Sequence, residues 1–288
     1  MRINRFLALA GLGSRRSVEE LLLKGAVTIN GSCSGDLGRR VGDDDLVCVY
    51  GKQVQAAPLR YLLLHKPRGY TCTRSDRFAE KTIFELLPRE FSDLFHVGRL
   101  DKESEGLLLL TNDGELAQQL LHPSRSIDKE YVVLLDQPFS SKAAAALKKG
   151  IWIKTSPKSH LSKKTGDISI SRAHAPSAKS PASLLLPNLG QATGRKIGSN
   201  TQGRLARVLS VTQIEPSKIK LILHQGLKRQ IRIMLGSLGF KVKRLVRIRF
   251  GPLQLQHLPP GKYRELTLEE KKALLQITTR KKNVPRNF

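Results

Sequence analysis

The chain has 288 residues, with 50 Lys and Arg against 24 Asp and Glu, a formal charge of +26 and a pI near 10.4. So large an excess of one sign destabilises the compact state by self-repulsion unless a polyanion neutralises it, which points to nucleic acid as the partner. Three cysteines with no metal-ligand spacing exclude a disulfide framework and a zinc site and fit a reducing cytoplasm, and no apolar stretch nears the ~20 residues of a membrane span.

Residues 1–52 read as one compact unit. The first ten residues have some look of an export signal, but Gly11-Leu12-Gly13-Ser14-Arg15-Arg16 interrupts the apolar run, and no small-residue cleavage pattern follows. Phe6, Leu7, Leu9 and Ala10 predict a short amphipathic helix ending at Gly11 or Gly13. Ser17 with Glu20 predicts a capping box for a second helix through Leu23, stopped at Gly25. Ala26-Val27-Thr28-Ile29 is a strand running into the Asn30-Gly31 turn, and Leu46-Val47-Cys48-Val49-Tyr50 is another. The helix pair is expected to expose Arg2, Arg5, Arg15, Arg16 and Lys24.

After a polar joint at 53–58, residues 59–277 alternate strands with short helices. Strands are predicted at 61–64, 131–135, 218–223 and 245–249, and helices at 83–87, 115–121, 142–148, 230–238 and 268–275. The strict strand–helix repeat of a doubly wound sheet is missing, so the class is α+β. From about 155 to 204 the chain is rich in Ser, Lys, Gly, Pro and Ala with little periodicity, which predicts a mobile basic insertion. Residues 278–288 read as a disordered basic tail.

The most informative run is His96-Val97-Gly98-Arg99-Leu100-Asp101-Lys102-Glu103-Ser104-Glu105-Gly106, followed by four leucines and Thr111-Asn112-Asp113-Gly114. It reads as a short strand, a tight polar loop, a buried strand and a turn. The loop carries Asp101 after an Arg-Leu pair and ahead of a glycine that lets backbone approach closely. Glu103 and Glu105 read as solvated loop carboxylates. This run resembles the Gly-Arg-Leu-Asp signature of the bacterial ribosomal-RNA pseudouridine synthases of the RsuA type. The resemblance extends in order through His65-Lys66-Pro67-Arg68-Gly69, Lys129-Glu130-Tyr131 and Gln225-Gly226-Leu227-Lys228-Arg229-Gln230-Ile231-Arg232. Residues 1–52 likewise resemble the small alpha-L RNA-binding domain shared with ribosomal small-subunit protein four.

The resemblance implies a small RNA-binding domain followed by a catalytic domain with a mixed, antiparallel-rich sheet flanked by helices. It implies isomerisation of a specific uridine in ribosomal RNA to pseudouridine, a reaction without redox change or group donor, and therefore no cofactor. Breaking the glycosidic bond needs a nucleophilic carboxylate, which the resemblance assigns to Asp101. Whether Asp101 attacks base or sugar stays open. A cation is needed to keep that carboxylate ionised and aimed, and Arg232 occupies the position that pairs with it. Glutamate is usual where Gln225 stands, and a second basic residue where Ile233 stands. Tyr131 matches a tyrosine that stacks on the flipped uracil; whether it also acts as a base stays open. The target base must leave its stack, and Arg99 is placed to fill the vacated space or clamp a phosphate. Lys66, Arg68, Lys228, Arg229, Lys243, Arg244, Arg247 and Arg249 are expected along a basic RNA groove.

Three other readings fit less well. A non-catalytic RNA-binding factor has no reason to keep Asp101, Tyr131 and Arg232 together. An RNA methyltransferase needs a Gly-rich nucleotide loop after a strand, and Gly11-Leu12-Gly13 is misplaced and lacks a third glycine. A glycoside hydrolase with paired carboxylates is disfavoured by the charge. Leu121-His122-Pro123-Ser124-Arg125 leans toward relatives acting on large-subunit RNA. A monomer without membrane attachment is expected.

Overall fold

Three apolar clusters organise the molecule, one in the N-terminal unit and two on opposite faces of a large sheet. They are seen in a computed structural model that describes residues 1–74, 80–154 and 203–279.

The N-terminal unit contains α1 (Ile3–Leu9), α2 (Arg15–Leu23), β1 (Val27–Ile29), β2 (Ser32–Cys33), β3 (Val47–Val49) and β4 (Lys52–Gln53). Its strands form an antiparallel sheet in the order β2-β1-β3-β4. Ile3, Leu7, Val18, Leu22, Val27 and Val47 close the core beneath it. The turn from β1 to β2 is the expected Asn30-Gly31 pair, both at positive φ (50° and 81°). The start of α2 differs from the sequence expectation. Its cap is Ser14, whose Oγ accepts from the Ser17 backbone amide, so Ser17 lies inside the helix.

The second unit contains β5 (Tyr61–Lys66), β6 (Phe95–Val97), β7 (Glu105–Thr111), α3 (Gly114–Leu121), β8 (Lys129–Leu135) and α4 (Ser141–Lys149). It continues with β9 (Ile151–Lys154), β10 (Gly203–Ala206), β11 (Ser210–Glu215), β12 (Lys218–Leu223), α5 (Gln230–Ser237), β13 (Val242–Phe250), β14 (Leu253–Gln254), β15 (Tyr263–Glu265) and α6 (Leu268–Thr279). The main sheet runs β11-β12-β8-β13-β7-β5-β15, with β6 and β14 paired at its sides. Every neighbour is antiparallel except β13 and β7. The α+β expectation is met.

All seven residues of β7 are buried, as befits a central strand covered on both faces. Leu108 and Leu110 join Leu62 and Leu64 on one face, while Leu107 and Leu109 join Leu63 on the other. Where β7 meets β13, Gly106 sits opposite Arg247 with φ +109°. A β-carbon there would lie 2.2 Å from the Arg247 carbonyl oxygen, so no other residue permits this approach.

The expected helix at 83–87 is a short 3-10 turn, Ile83–Leu86, closed by a Thr82–Glu85 capping box ahead of Pro88. Of the predicted insertion, its last two residues, Gly203 and Arg204, belong to β10, which pairs with β9 in register Gly203↔Lys154. Helix α6 runs to Thr279, two residues into the expected tail. The rest of both segments lies outside the described residues. Among the described residues no helix is long and apolar enough to cross a membrane.

The units meet where Arg5 on α1 pairs with Asp113 (3.2 Å) and Glu115 (2.7 Å). Asp113 also accepts from the Tyr61 hydroxyl and caps α3. Arg5 is therefore an inter-unit tie rather than the free RNA contact the sequence suggested.

Candidate active site

The residues 98–104 that join β6 to β7 are fixed from below almost entirely through their backbone. Lys66, at the end of β5, is fully buried. Its ammonium donates to the carbonyls of Ser104 (2.7 Å), Pro67 (3.1 Å), Asp101 (3.2 Å) and Lys102 (3.3 Å). Burial pushes Lys66 down to about 8, against the opposing pull of nearby acidic groups. The Cys72 thiol donates to Leu100 O, and burial pushes that thiol up. The His96 ring is bonded at Nδ1 to Gly98 O (2.7 Å), and burial pushes the imidazole down. Gly69 N donates to Lys102 O, and Ser104 N closes the turn on Asp101 O.

Arg232 on α5 completes the clamp, donating to Glu103 O (2.8 Å) and Val242 O (3.1 Å). Burial and the neighbouring Arg229 lower its guanidinium, while Asp101 and Glu103 oppose them. Asp101 thus lies within electrostatic reach, but the expected ion pair is not formed, because the fork is turned onto backbone carbonyls. Among the described residues the Asp101 carboxylate has no hydrogen-bond or ion-pair partner.

Above the loop opens a cavity of about 490 Å³ lined by Arg99, Asp101, Tyr131, Lys228 and Arg229 among others. The structure therefore brings together five residues from three separate motifs. Tyr131, on β8, is buried with its side chain among the core residues. Arg229 adopts a left-handed conformation (φ 54°) at the N-terminus of α5. Ser104 lines the same cavity, and its buried hydroxyl has no partner among the described residues. Only its place in the loop could have signalled that role.

Other expected RNA contacts lie elsewhere. Lys66 is a buried support and not a groove residue. Arg247 is 2% exposed and donates from Nε to Leu107 O (2.8 Å), because its β13 position faces the sheet's interior. Arg68 is exposed but ion-paired to Glu103. Arg249 is held by Glu130 (2.8 Å), and Arg244 grips Glu105 through Nε and Nη2. Glu105 is buried at that bond rather than solvated. Arg2, Arg15, Arg16 and Lys24 are exposed on the N-terminal unit, away from the cavity. Among the described residues no cluster of ligating side chains suits a metal ion.

An unencumbered carboxylate on a rigid loop, beside an aromatic ring and under basic side chains, suits attack on an electrophilic carbon in an anionic substrate. Comparison with known proteins agrees. RNA pseudouridylate synthase matches residues 60–237, and the S4 domain matches residues 1–47. The chain belongs to the RNA pseudouridylate synthases. An uncharacterized RNA pseudouridine synthase of Aquifex aeolicus is 37% identical over 273 residues, covering 94% of this chain and 92% of that one. Ribosomal large subunit pseudouridine synthase B of Bacillus subtilis is 33% identical over 283 residues, 98% of each chain. A crystal structure of a pseudouridylate synthase shares the fold, with a TM-score of 0.56 at 22% identity over 95% of this chain and 99% of that one. As a pseudouridylate synthase the chain is an isomerase that converts uridine to pseudouridine in RNA, preceded by an S4 domain. The methyltransferase and glycoside hydrolase readings fall away.

Proposed function

We propose that this synthase isomerises one uridine of ribosomal RNA, with Asp101 as nucleophile on a base turned out of its stack. The observation that carries the assignment is the Asp101 carboxylate, without a partner among the described residues, on a loop whose backbone is held by Lys66, Cys72, His96 and Arg232. Its N1–C1′ bond breaks, the base rotates, and C5 joins C1′. The C5 proton is lost and a proton returns to the base nitrogen. Nothing is oxidised or transferred, so the reaction requires no cofactor.

Tyr131 supplies the face on which the uracil stacks, and Arg99 at the mouth enters the space the base leaves or holds a phosphate. Lys228 and Arg229 take backbone phosphates, and the exposed basic residues of the S4 domain bind RNA beyond the cavity. Arg232 acts on the chemistry through the loop it clamps. The large-subunit preference rests on the 121–125 segment and on the large-subunit activity named for the Bacillus subtilis relative. A cytoplasmic monomer is part of the same reading, supported by three free thiols.

The test is tritium release from RNA carrying 5-tritiated uridine, with pseudouridines mapped in ribosomal RNA from cells with and without the protein. Asp101→Asn should reduce the single-turnover rate by about 10³-fold or more, with RNA affinity kept. Near wild-type release by the variant would remove Asp101 from this role.

A further inference from the structure

A second cavity of about 720 Å³ lies against the one that holds Asp101. The two share a wall built from Gly98, Arg99, Tyr131, Gln225, Gly226 and Leu227. Nothing in the isomerisation of a single uridine uses this second space. Its size falls in the roughly 300–1,000 Å³ range of small-molecule sites, and its walls combine two characters. One side is apolar, with Leu121, Ile127, Leu205 and Phe250. The other presents cations whose hydrogen-bonding needs are not all met.

Arg247 is the decisive residue. It is 2% exposed, yet its Nη2 is buried with no partner among the described residues, while its Nε is committed to Leu107 O. Its guanidinium stands 5.3 Å from the centre of the Phe250 ring, and the Lys129 ammonium stands 5.6 Å from the same ring. Lys129 donates to Ile127 O and His224 O, and burial together with Arg247 pushes it down to about 8. A buried donor without an acceptor costs free energy, and because Arg247 lines the cavity, a ligand there can supply that acceptor once the guanidinium turns toward it.

Position identifies that ligand. Tyr131 and Arg247 are directly paired across β8 and β13, so an occupant on Arg247 sits immediately beside a uracil on Tyr131. Two cavities sharing one wall match two consecutive nucleotides of one strand. We propose that the second cavity receives the base of a nucleotide adjoining the target uridine, its face on Phe250 and the leucines and its acceptor edge on Arg247. The enzyme then holds two extruded bases, and part of its site selection comes from the neighbour. Guanidinium groups pair well with carbonyl and ring-nitrogen acceptors of bases. The inference rests on the Asp101 cavity being where isomerisation occurs, a reading that Asp101→Asn tests through rate, whereas the neighbour is tested through affinity.

The experiment measures binding and single-turnover rates for the full chain on RNAs with an abasic residue at each position flanking the target. Controls carry the same lesion three residues away, or a methylphosphonate at each flanking phosphate. One flanking abasic RNA should bind about tenfold or more weaker, with its rate at saturating enzyme little changed. In Arg247→Met, checked for an unchanged melting profile, and in Leu121→Ala at the exposed rim, that abasic penalty should shrink. If both flanking abasic RNAs bind like the intact one, the proposal is wrong. Loss confined to the methylphosphonate RNAs would make the cavity a phosphate site and equally overturn the assignment. If Arg247→Met does not fold, Leu121→Ala and the abasic series decide alone.

Discussion

Lys66 holds four backbone carbonyls on one ammonium, and its proton therefore bears on both stability and rate. Its pKa in the fold, about 8, lies below the ordinary lysine value near 10.4. Below pH 8 the native state carries the full cost of burying the charge. Between pH 8 and about 10.4 the unfolded chain binds more protons than the native one, so Lys66 contributes rising stability with pH. The neutral amine, however, has one donor fewer for the loop. The single-turnover rate should accordingly fall above pH 8 while the denaturation midpoint does not; parallel loss of both would contradict this account. Lys66→Met should reduce the rate by about 10²-fold through misplacement of Asp101, with smaller change in RNA affinity. Arg232→Lys should behave similarly, since a point charge cannot reproduce the fork on Glu103 O and Val242 O. Asp101, Arg99, Tyr131, Lys228 and Arg229 were legible because rare residue strings mark them. Lys66 was misread because a basic side chain was assumed to be solvated, and Arg247 lies buried against the sheet rather than along an open groove. The alternation Leu245, Arg247 already placed that arginine on the buried face of its strand.

At the scale of elements, β7 begins directly after the Asp101 loop and makes its parallel contact with β13 there, at Glu105 and Gly106. Gly106→Ala adds a β-carbon inside the Arg247 backbone and strains a φ of +109°. It should destabilise the chain by about 3–5 kcal/mol, the range of severe core lesions, as read by denaturant unfolding. A midpoint within experimental error of wild type would show that the strands can separate cheaply. Strands with regular apolar spacing were predicted well: β12 occupies the residues expected, and β8 and β13 differ only at their ends. β11 was invisible because its outward face is solvated at the sheet edge, leaving Ser-Val-Thr-Gln-Ile-Glu without clear alternation. The 83–87 segment was read as a helix, but Pro88 leaves room for one tight turn only.

On the scale of the whole molecule, Arg5 ties the S4 domain to the second unit through two carboxylates, Asp113 and Glu115. Asp113 binds Arg5, caps α3 and accepts from Tyr61, whose hydroxyl is held protonated far above its usual range by burial and that carboxylate. Arg5→Ala should cost about 1–2 kcal/mol in stability, between a surface and a buried pair. It should weaken RNA binding more than it slows the bound complex, because the S4 domain is no longer held in register. Equal losses in affinity and in saturated rate would place Arg5 in the chemistry instead. The net charge of +26 predicts steep salt dependence: affinity should drop by about tenfold or more between 50 and 200 mM salt. A flat profile would rule out phosphate contacts as the main source of binding.

The small β9–β10 ladder brings Lys154 and Gly203 side by side. Trp152, the only tryptophan of the chain, stands there 72% exposed, opposite Leu205 of the second cavity. The protein thus carries its own fluorophore beside a ligand-sized opening. Its emission, quenched or shifted as RNA arrives, gives a label-free optical readout of occupancy. The same junction offers a splice point at which residues 155–202 can be exchanged for a short turn.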